Sequence, residues 1–286
     1  MTYETGNALR TALEYRLNSQ SRETGVSIDR LRRRVVFERV VARLAHATPG
    51  KWVLKGGMAL EMRLRDHARL TKDIDLGLRD TVEDRGELQV RLVEALSVDP
   101  FGDRFTLAPG LVTELMPDGG GHQTWRSNVA ASLAGRAFGG IKVDVSPRAH
   151  ELDQTDVVTL PNSLAFAGIE VPTVEIIDVN RHAAEKFHAM ARDFGDRDNT
   201  RVRDLLDLVI MFEHELLDRG ALSHAVRRVW HERNASAPPA ALPSLPDGWP
   251  ERYERLTADH DIAATDFPSA ADLVTQLWAD LHLQEN

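Results

Sequence analysis

The most constraining feature of this sequence is a glycine pair, Gly56 and Gly57, followed after a short basic segment by Asp73-Ile74-Asp75-Leu76. Residues two apart on a β-strand share a face, so both carboxylates point one way and the aliphatic side chains point into a core. Two like charges side by side are costly unless a cation or a proton relieves them. The run therefore predicts a strand that binds a divalent cation such as Mg²⁺ on one face.

The glycine pair adds a second constraint. Glycine lets a backbone approach a ligand closely, as polyphosphate sites often require, and the N–H groups of a following helix would face phosphate. Each piece alone has a plainer interpretation, because an isolated Asp-Ile-Asp is often a solvated strand edge and a glycine pair is usually a turn. Their order along the chain favours metal-dependent nucleotidyl transfer.

This layout resembles that of the polymerase-β-like nucleotidyltransferases. The flanks narrow the resemblance to the AbiEii/MenT-type toxins of bacterial toxin–antitoxin and abortive-infection systems, through Leu54-Lys55-Gly56-Gly57-Met58-Ala59-Leu60 and Thr71-Lys72-Asp73-Ile74-Asp75-Leu76. Later segments support it, namely Ile141-Lys142-Val143-Asp144-Val145, Ala184-Glu185-Lys186-Phe187-His188-Ala189 and Arg203-Asp204-Leu205-Leu206-Asp207-Leu208. The resemblance spans residues 50–212, and no motif covers the two ends.

The resemblance implies an α/β (α+β) fold, with a polymerase-β-like nucleotidyltransferase core around a mixed sheet and a helical C-terminal portion. We expect a nucleotidyltransferase domain with N-terminal helices over residues 1–176 and a helical domain over 177–286. Apolar periodicity predicts helices at 7–18, 28–46, 58–64, 83–96, 178–192, 201–217, 222–233 and from 269 onward. Strands are predicted at 52–54, 73–78, 104–116, 124–133 and 141–145, and loops at 117–122 and 234–250.

The resemblance also implies roles around the aspartate pair. Asp73 and Asp75 are expected to be catalytic and to hold Mg²⁺, or Mn²⁺, against the triphosphate of an NTP. Asp144 is the candidate third carboxylate, acting as a base or as a ligand of a second metal, unless it is merely a strand-end aspartate. Lys55, Gly56 and Gly57 are expected to bind the nucleotide.

The helical portion carries the remaining candidates. Lys186 matches a family lysine that contacts the triphosphate, although a lysine beside an apolar stripe can also extend to solvent. Arg203 is expected to bind the nucleotide as well. Asp204 is predicted to be catalytic by holding Lys186 or the nucleotide, but Asp207 lies one helical turn on, and the sequence leaves open which carboxylate is functional.

Thr71 is a candidate for regulation. The resemblance implies that this Ser/Thr position can be phosphorylated by an antitoxin in some relatives. On an extended strand Thr71 would share the face of Asp73, where a phosphate would compete for Mg²⁺ and repel the triphosphate. The alternative is a threonine at the entry to a strand with its hydroxyl hydrogen-bonded.

The charge distribution bears on the partner. The formal net charge is −9, yet Arg30–Lys72 holds twelve Lys and Arg against three acidic residues, which makes this segment +9 and the remainder −18. Such an asymmetry predicts a local phosphate-binding face that includes Arg32–Arg34. A pair of solvated helix faces is the alternative.

The predicted function is therefore toxin-like transfer of NMP from an NTP to an RNA, with the tRNA 3′ end as the leading acceptor, which would block translation. The alternatives are a protein or small-molecule acceptor, or a non-catalytic nucleotide- or RNA-binding protein. We expect an antitoxin encoded nearby, no membrane association and a cytoplasmic location, since the chain has no cysteine, no signal-peptide pattern and no long apolar run. The base transferred, the RNA and the oligomeric state are left open.

Overall fold

The structure of the 286-residue chain is a computed structural model. It describes residues 3–64, 68, 71, 73–116, 123–148, 151–195, 198–258, 260, 262–281 and 283. The predicted glycine-rich loop at 117–122 lies outside the described residues, as do Lys72 and two other cations of the basic segment, Arg65 and Arg69.

Helices and strands are mixed as far as Ile177, and helices follow one another from Val179 onward. The helices are α1 (Gly6–Thr24), α2 (Ile28–Ala47), α3 (Gly56–Leu64), α4 (Arg85–Ser97), α5 (Val179–Ala191), α6 (Val202–Glu213), α7 (Arg219–Asn234), α8 (Pro250–Thr257) and α9 (Phe267–Ala279). The strands are β1 (Trp52–Lys55), β2 (Asp73–Leu78), β3 (Phe105–Pro109), β4 (Thr113–Glu114), β5 (Trp125–Leu133), β6 (Arg136–Pro147), β7 (Thr155–Thr159) and β8 (Thr173–Ile177).

Local signals explain several of the helix ends. Thr5 caps α1 by accepting from the Ala8 N–H, Asp84 caps α4 and Asp178 caps α5 in the same way. These side chains satisfy backbone donors that a first helical turn leaves without partners. Among the described residues, no helix combines the length and the apolar character that a membrane span requires.

The strands form one mixed sheet in the order β3-β5-β6-β2-β1-β8-β7, with β4 paired to β5. The central strand β2 runs parallel to β6 and antiparallel to β1. On β5 and β6 one face is buried by residues such as Val129 and Val143, and the other face is open. The residues that cross-strand register places beside the aspartates therefore stand on a surface that a substrate can reach.

The chain divides into two compact units. The first comprises Met1–Met62 and Thr71–Ile176 and contains the sheet, and the second comprises Arg63–Leu70 and Ile177–Asn286 and contains α5 to α9. The short segment Arg63–Leu70 thus belongs to the second unit although it lies within the N-terminal half of the sequence.

The predicted elements are confirmed at β2 and at most helices, but three predictions were wrong. The predicted strand at 104–116 is two strands, β3 and β4, which both pair with β5; the ladder is interrupted between them, where the Val112 N–H donates to Oε1 of Gln89. β7 and β8 were missed, and the last residue of β8, Ile177, lies inside the helical portion predicted over 177–286. The sequence also gave no sign of α8, which begins at Pro250 directly after the predicted proline-rich loop.

Candidate active site

The aspartate pair occupies the start of β2, as predicted, with the intervening Ile74 fully buried. Cross-strand register builds a row of charges through Asp75. Lys55 lies opposite Asp75 on β1, Asp144 lies opposite Asp75 on β6, and Arg126 lies opposite Asp144 on β5. Opposed residues on neighbouring strands share a face, about 5 Å apart. The row therefore consists of two anions between two cations, with one residue on each of four neighbouring strands.

Gly56 fits against this row. It begins α3 directly after β1, and its φ of +59° lies in the left-handed region that favours glycine. A Cβ built on Gly56 would overlap Oδ2 of Asp75. The glycine therefore has two independent reasons to lack a side chain, and the start of α3 lies beside one of the two predicted metal ligands.

Asp144 is held by Arg126. Nε of Arg126 donates to Oδ1 of Asp144 at 2.7 Å and Nη2 donates to Oδ2 at 2.6 Å, the bidentate arrangement that gives strong, oriented ion pairs. These hydrogen bonds raise the pKa of Arg126 above its usual value, burial opposes them, and the charges of Asp144, Asp73 and Asp75 raise it further. All three carboxylates therefore stabilise the positive charge of Arg126.

The hydrogen bonding of the carboxylate oxygens on this face indicates whether it can hold a metal. Oδ1 of Asp73 is buried and has no hydrogen-bond partner among the described residues. Burying an acceptor without a hydrogen-bond partner costs free energy, and coordination of a divalent cation would supply the missing interaction. The donor set therefore fits Mg²⁺ at Asp73 and Asp75.

Asp144, the third predicted metal ligand, has a different environment. Among the described residues, no three His, Cys, Asp or Glu side chains group as a set that holds a metal. Asp144 lies next to Asp75 but is paired with Arg126. Its role as a third ligand or base remains a prediction, and it requires Asp144 to exchange the guanidinium of Arg126 for a metal or a proton.

Lys55, predicted to bind the nucleotide, is buried within the first unit. Its Nζ donates to Oε2 of Glu151 at 3.2 Å, and the same carboxylate accepts from Arg148. A nucleotide contact by Lys55 therefore competes with an existing buried ion pair. A phosphate bound by the backbone N–H groups at the start of α3 would not have to break this ion pair.

The basic segment does not form one continuous face, contrary to the prediction. Arg39 and Arg43 are fully buried, and Arg43 donates to Asp103 at 2.6 Å. Within the cluster at 32–34, Arg32 pairs with Glu14 and Arg34 pairs with Glu61. These four cations are buried or paired with carboxylates of the protein, so their charges are not free to bind an external phosphate. Arg33 differs, since it has no ion pair with any described carboxylate.

Thr71 precedes β2 and does not belong to it. Its side chain is half-buried, and Oγ1 has no hydrogen-bond partner among the described residues. It lines a small cavity with Met58, Glu61 and three arginines, Arg30, Arg33 and Arg34. The hydroxyl therefore lies beside cations rather than in the regular strand geometry that the sequence predicted.

In the second unit the remaining candidates come together on two helices. Nζ of Lys186, on α5, donates to Oδ1 of Asp204 at 3.0 Å and to Oδ2 of Asp207 at 2.6 Å, both on α6. Asp207 is fully buried, whereas the side chain of Asp204 is 14% exposed. Lys186 thus does not extend to solvent, and Asp204 is the partner through which the cluster reaches the surface.

Arg203 points elsewhere in the same unit. It is exposed and lines a cleft of about 410 Å³ with Arg252 and Arg255 of α8. None of these three arginines forms an ion pair with a described carboxylate. The predicted nucleotide contact of Arg203 therefore belongs to a cleft that also depends on α8, a helix outside the motifs.

Sequence reasoning missed Arg126 entirely. The only available signal was its place in the strand predicted at 124–133, and such a prediction does not say which residue of a neighbouring strand lies opposite. Sequence reasoning also overlooked Lys142, which lies inside the quoted segment Ile141–Val145 and stands opposite Asp73.

Comparisons with known proteins identify a family. The family model for the AbiEii toxin, a nucleotidyl transferase of type IV toxin–antitoxin systems, matches residues 39–279. No match was found among curated protein sequences.

Solved structures give the fold. The nucleotidyltransferase toxin MenT4 of Mycobacterium tuberculosis H37Rv is 17% identical over 94% of this chain and 89% of its own, with a TM-score of 0.59. JHP933 of Helicobacter pylori is 15% identical over 91% of this chain and 94% of its own, with a TM-score of 0.46. The likeness to MenT4 confirms the predicted mixed α/β fold.

Proposed function

The chain belongs to the AbiEii family of nucleotidyltransferase toxins, and we propose that it transfers NMP from an NTP to the 3′ end of an RNA, with tRNA as the leading acceptor. The observation that carries the proposal is the arrangement of Asp73, Asp75 and Gly56. Two carboxylates share one open face of β2, and the start of a helix is packed against one of them without an intervening side chain.

The reaction makes one bond and breaks one. The oxygen of an acceptor hydroxyl forms a bond to the α-phosphorus, the bond from that phosphorus to the bridging oxygen breaks, and pyrophosphate leaves with its electron pair. The hydroxyl proton goes to a base, for which Asp144 is the carboxylate beside Asp75 on the same face. Mg²⁺ at Asp73 and Asp75 would neutralise charge on the phosphate oxygens when bound.

The protein contributes position and charge. The N–H groups at the start of α3 are suited to phosphate because that end of a helix carries partial positive charge. Arg126 holds Asp144 on the open face before reaction, and Asp144 acts as the base by exchanging this guanidinium for the hydroxyl proton. In the second unit, Asp204 and Asp207 hold Lys186 in one place, and the family resemblance assigns this lysine a contact with a triphosphate.

Modification of the tRNA 3′ end would prevent aminoacylation and stop translation, which accounts for toxicity. An antitoxin partner is expected of a type IV toxin–antitoxin family. The open polar face of β5 and β6, beside the aspartate strand, also supports a large acceptor over a small enclosed one.

The test is to incubate the protein with each labelled NTP, Mg²⁺ or Mn²⁺, and total RNA, and to resolve the products by size. We expect label in an RNA band with the wild-type protein and none with Asp73→Ala, while the matched control Asp80→Ala, an ion-paired residue just after β2, stays active. Asp73→Ala should unfold at no lower urea concentration than the wild type, since it relieves like-charge repulsion. Label in protein or small molecules but not RNA would refute the acceptor, and transfer by Asp73→Ala would refute the site.

A further inference from the structure

A cleft of about 460 Å³ opens beside Asp73 within the first unit. It is lined by Asp73 itself, by Lys142 and Asn128, and by Arg33 of α2, together with the small residues Ala130, Gly139 and Gly140. Register explains the polar members, because Asn128, Lys142 and Asp73 stand opposite one another on β5, β6 and β2. The small residues leave the space open farther along the same two strands.

The two cations of this cleft are available to a ligand. Neither Arg33 nor Lys142 forms an ion pair with a described carboxylate, and Lys142 forms none with Asp73 although the two are register partners. The neighbouring arginines differ, since Arg32 and Arg34 are both paired. Two unneutralised cations facing one cleft attract an anion of extended shape, such as a nucleic-acid backbone.

The cleft lies on a definite side of the aspartates. In the sheet, β2 stands between β1 and β6. Gly56 and the start of α3 follow β1, whereas Lys142 and Asn128 belong to β6 and β5. The helix start suited to the triphosphate and the cationic cleft therefore flank the aspartate strand from opposite sides.

An in-line displacement requires binding sites on two opposite sides of the reacting phosphate. The attacking oxygen and the leaving pyrophosphate must lie on opposite sides of the α-phosphorus. If the triphosphate occupies the β1 side, the acceptor has to approach from the β6 side, where the cleft is found.

We propose that this cleft is the acceptor subsite, in which Arg33 and Lys142 bind backbone phosphates of a single-stranded polynucleotide 3′ end and present its terminal hydroxyl beside Asp73. Asn128 offers a side-chain amide to the terminal nucleotide. The inference rests on the proposed transferase function and assigns its acceptor to particular residues. It also places the contact on Arg33 alone among the three consecutive arginines.

The experiment measures oligonucleotide binding as well as transfer. A fluorescent single-stranded oligoribonucleotide is titrated with the wild-type protein, with Arg33→Gln/Lys142→Gln, and with the control Arg85→Gln, which removes an exposed arginine of α4 outside the cleft. NTP binding with Mg²⁺ is measured on the same proteins. A photoreactive base at the 3′ end locates the contact by peptide mapping.

We expect the double variant to bind the oligonucleotide at least tenfold more weakly while it binds NTP as the wild type does. Its plot of log K against log salt should be shallower by about 1.4, since each lost phosphate contact on a single strand removes about 0.7. Cross-links should fall in peptides of α2, β5 or β6. The control should match the wild type in all three measurements.

Wild-type binding by the double variant, or cross-links confined to the peptides of Arg203 and Arg252, would overturn the subsite while leaving the transferase proposal intact if label still enters RNA. An equal loss of NTP affinity would also overturn it, because the cleft would then serve the nucleotide. Failure of the wild-type protein to label any RNA would contradict the transferase proposal itself, and the acceptor subsite with it.

Discussion

Gly56 packs so closely against Asp75 that no side chain fits between them: a Cβ on Gly56 would overlap Oδ2 of the carboxylate. The glycine of the first motif and the aspartate of the second are therefore parts of one site, joined by the antiparallel pairing of β1 with β2. The close approach keeps the start of α3 next to the predicted metal ligand.

Gly56→Ala should reduce nucleotide transfer by about a hundredfold, because the new methyl group displaces the Asp75 carboxylate and small misplacements have effects of that size. Gly102→Ala is the matched control, since Gly102 has a similar φ of +66° but nothing within 4 Å of a built Cβ. Both variants carry the backbone strain of a non-glycine residue at positive φ. Equal transfer rates for the two variants would show that strain, and not the Asp75 contact, matters.

Arg126→Gln should lower the Mg²⁺ concentration for half-saturation several-fold, because the guanidinium competes with the metal for Asp144 and adds positive charge near Asp73 and Asp75. Titration calorimetry with Mg²⁺ and NTP measures this. Arg91→Gln, which breaks an ion pair elsewhere in the first unit, should leave Mg²⁺ binding unchanged. Unchanged Mg²⁺ binding by Arg126→Gln would remove Asp144 from the metal site.

Substitution of Asp207 should mainly reduce stability, whereas substitution of Asp204 should mainly reduce transfer. Asp207→Asn should lower the free energy of unfolding by about 3 kcal/mol, because it removes a fully buried partner of a buried lysine. Asp204→Asn should cost about 1 kcal/mol but should abolish most transfer, since Asp204 is the partially exposed partner. Urea unfolding and transfer assays on both variants decide between them, and the reverse pattern would make Asp207 the functional carboxylate.

Thr71→Glu should suppress transfer and growth inhibition, whereas Thr71→Ser should remain active. A phosphate at this position would bring about 1.5 to 2 negative charges two residues before Asp73. It would also draw on Arg33, which lines the same small cavity and, in our proposal, serves the acceptor. Label incorporation and thermal unfolding of both variants provide the measurement. A folded Thr71→Glu protein with full toxicity and full incorporation would end the hypothesis.

Stability should fall as the pH rises from 5 to 8 through the titration of Glu38. Burial raises the pKa of Glu38 from its ordinary value of 4.5 to about 7, while hydrogen bonds from Ser163 and the charge of Arg39 oppose the rise. The protonated form therefore stabilises the fold fully below pH 4.5, and this contribution, on the order of 3 kcal/mol, is lost as the pH passes about 7.

Urea unfolding at several pH values tests this directly. Glu38→Gln should flatten the pH dependence, because the amide cannot ionise, and should raise stability above pH 7 relative to the wild type. The exposed Glu94→Gln should keep the wild-type profile. A wild-type profile in Glu38→Gln would assign the pH dependence to another group.

Those parts of the site that lie within one strand or one helical turn could be predicted from the amino-acid sequence. The alternation Asp73-Ile74-Asp75 fixes two carboxylates on one face of β2 whatever surrounds the strand, because side chains alternate along a strand. Asp178 caps its helix for a similarly local reason. The family motifs lie in such segments, which explains why the metal and nucleotide candidates could be named without a structure.

The residues that lie beside these candidates depend on how distant parts of the chain pack together. Arg126 meets Asp144, and Lys142 faces Asp73, through the register of strands far apart in the sequence, and no local pattern specifies that register. The basic segment was misread for the same reason, since the carboxylates that neutralise Arg34 and Arg43 come from other elements. Spacing along the chain fixes direction within an element, whereas neighbours across elements depend on how all the elements pack together.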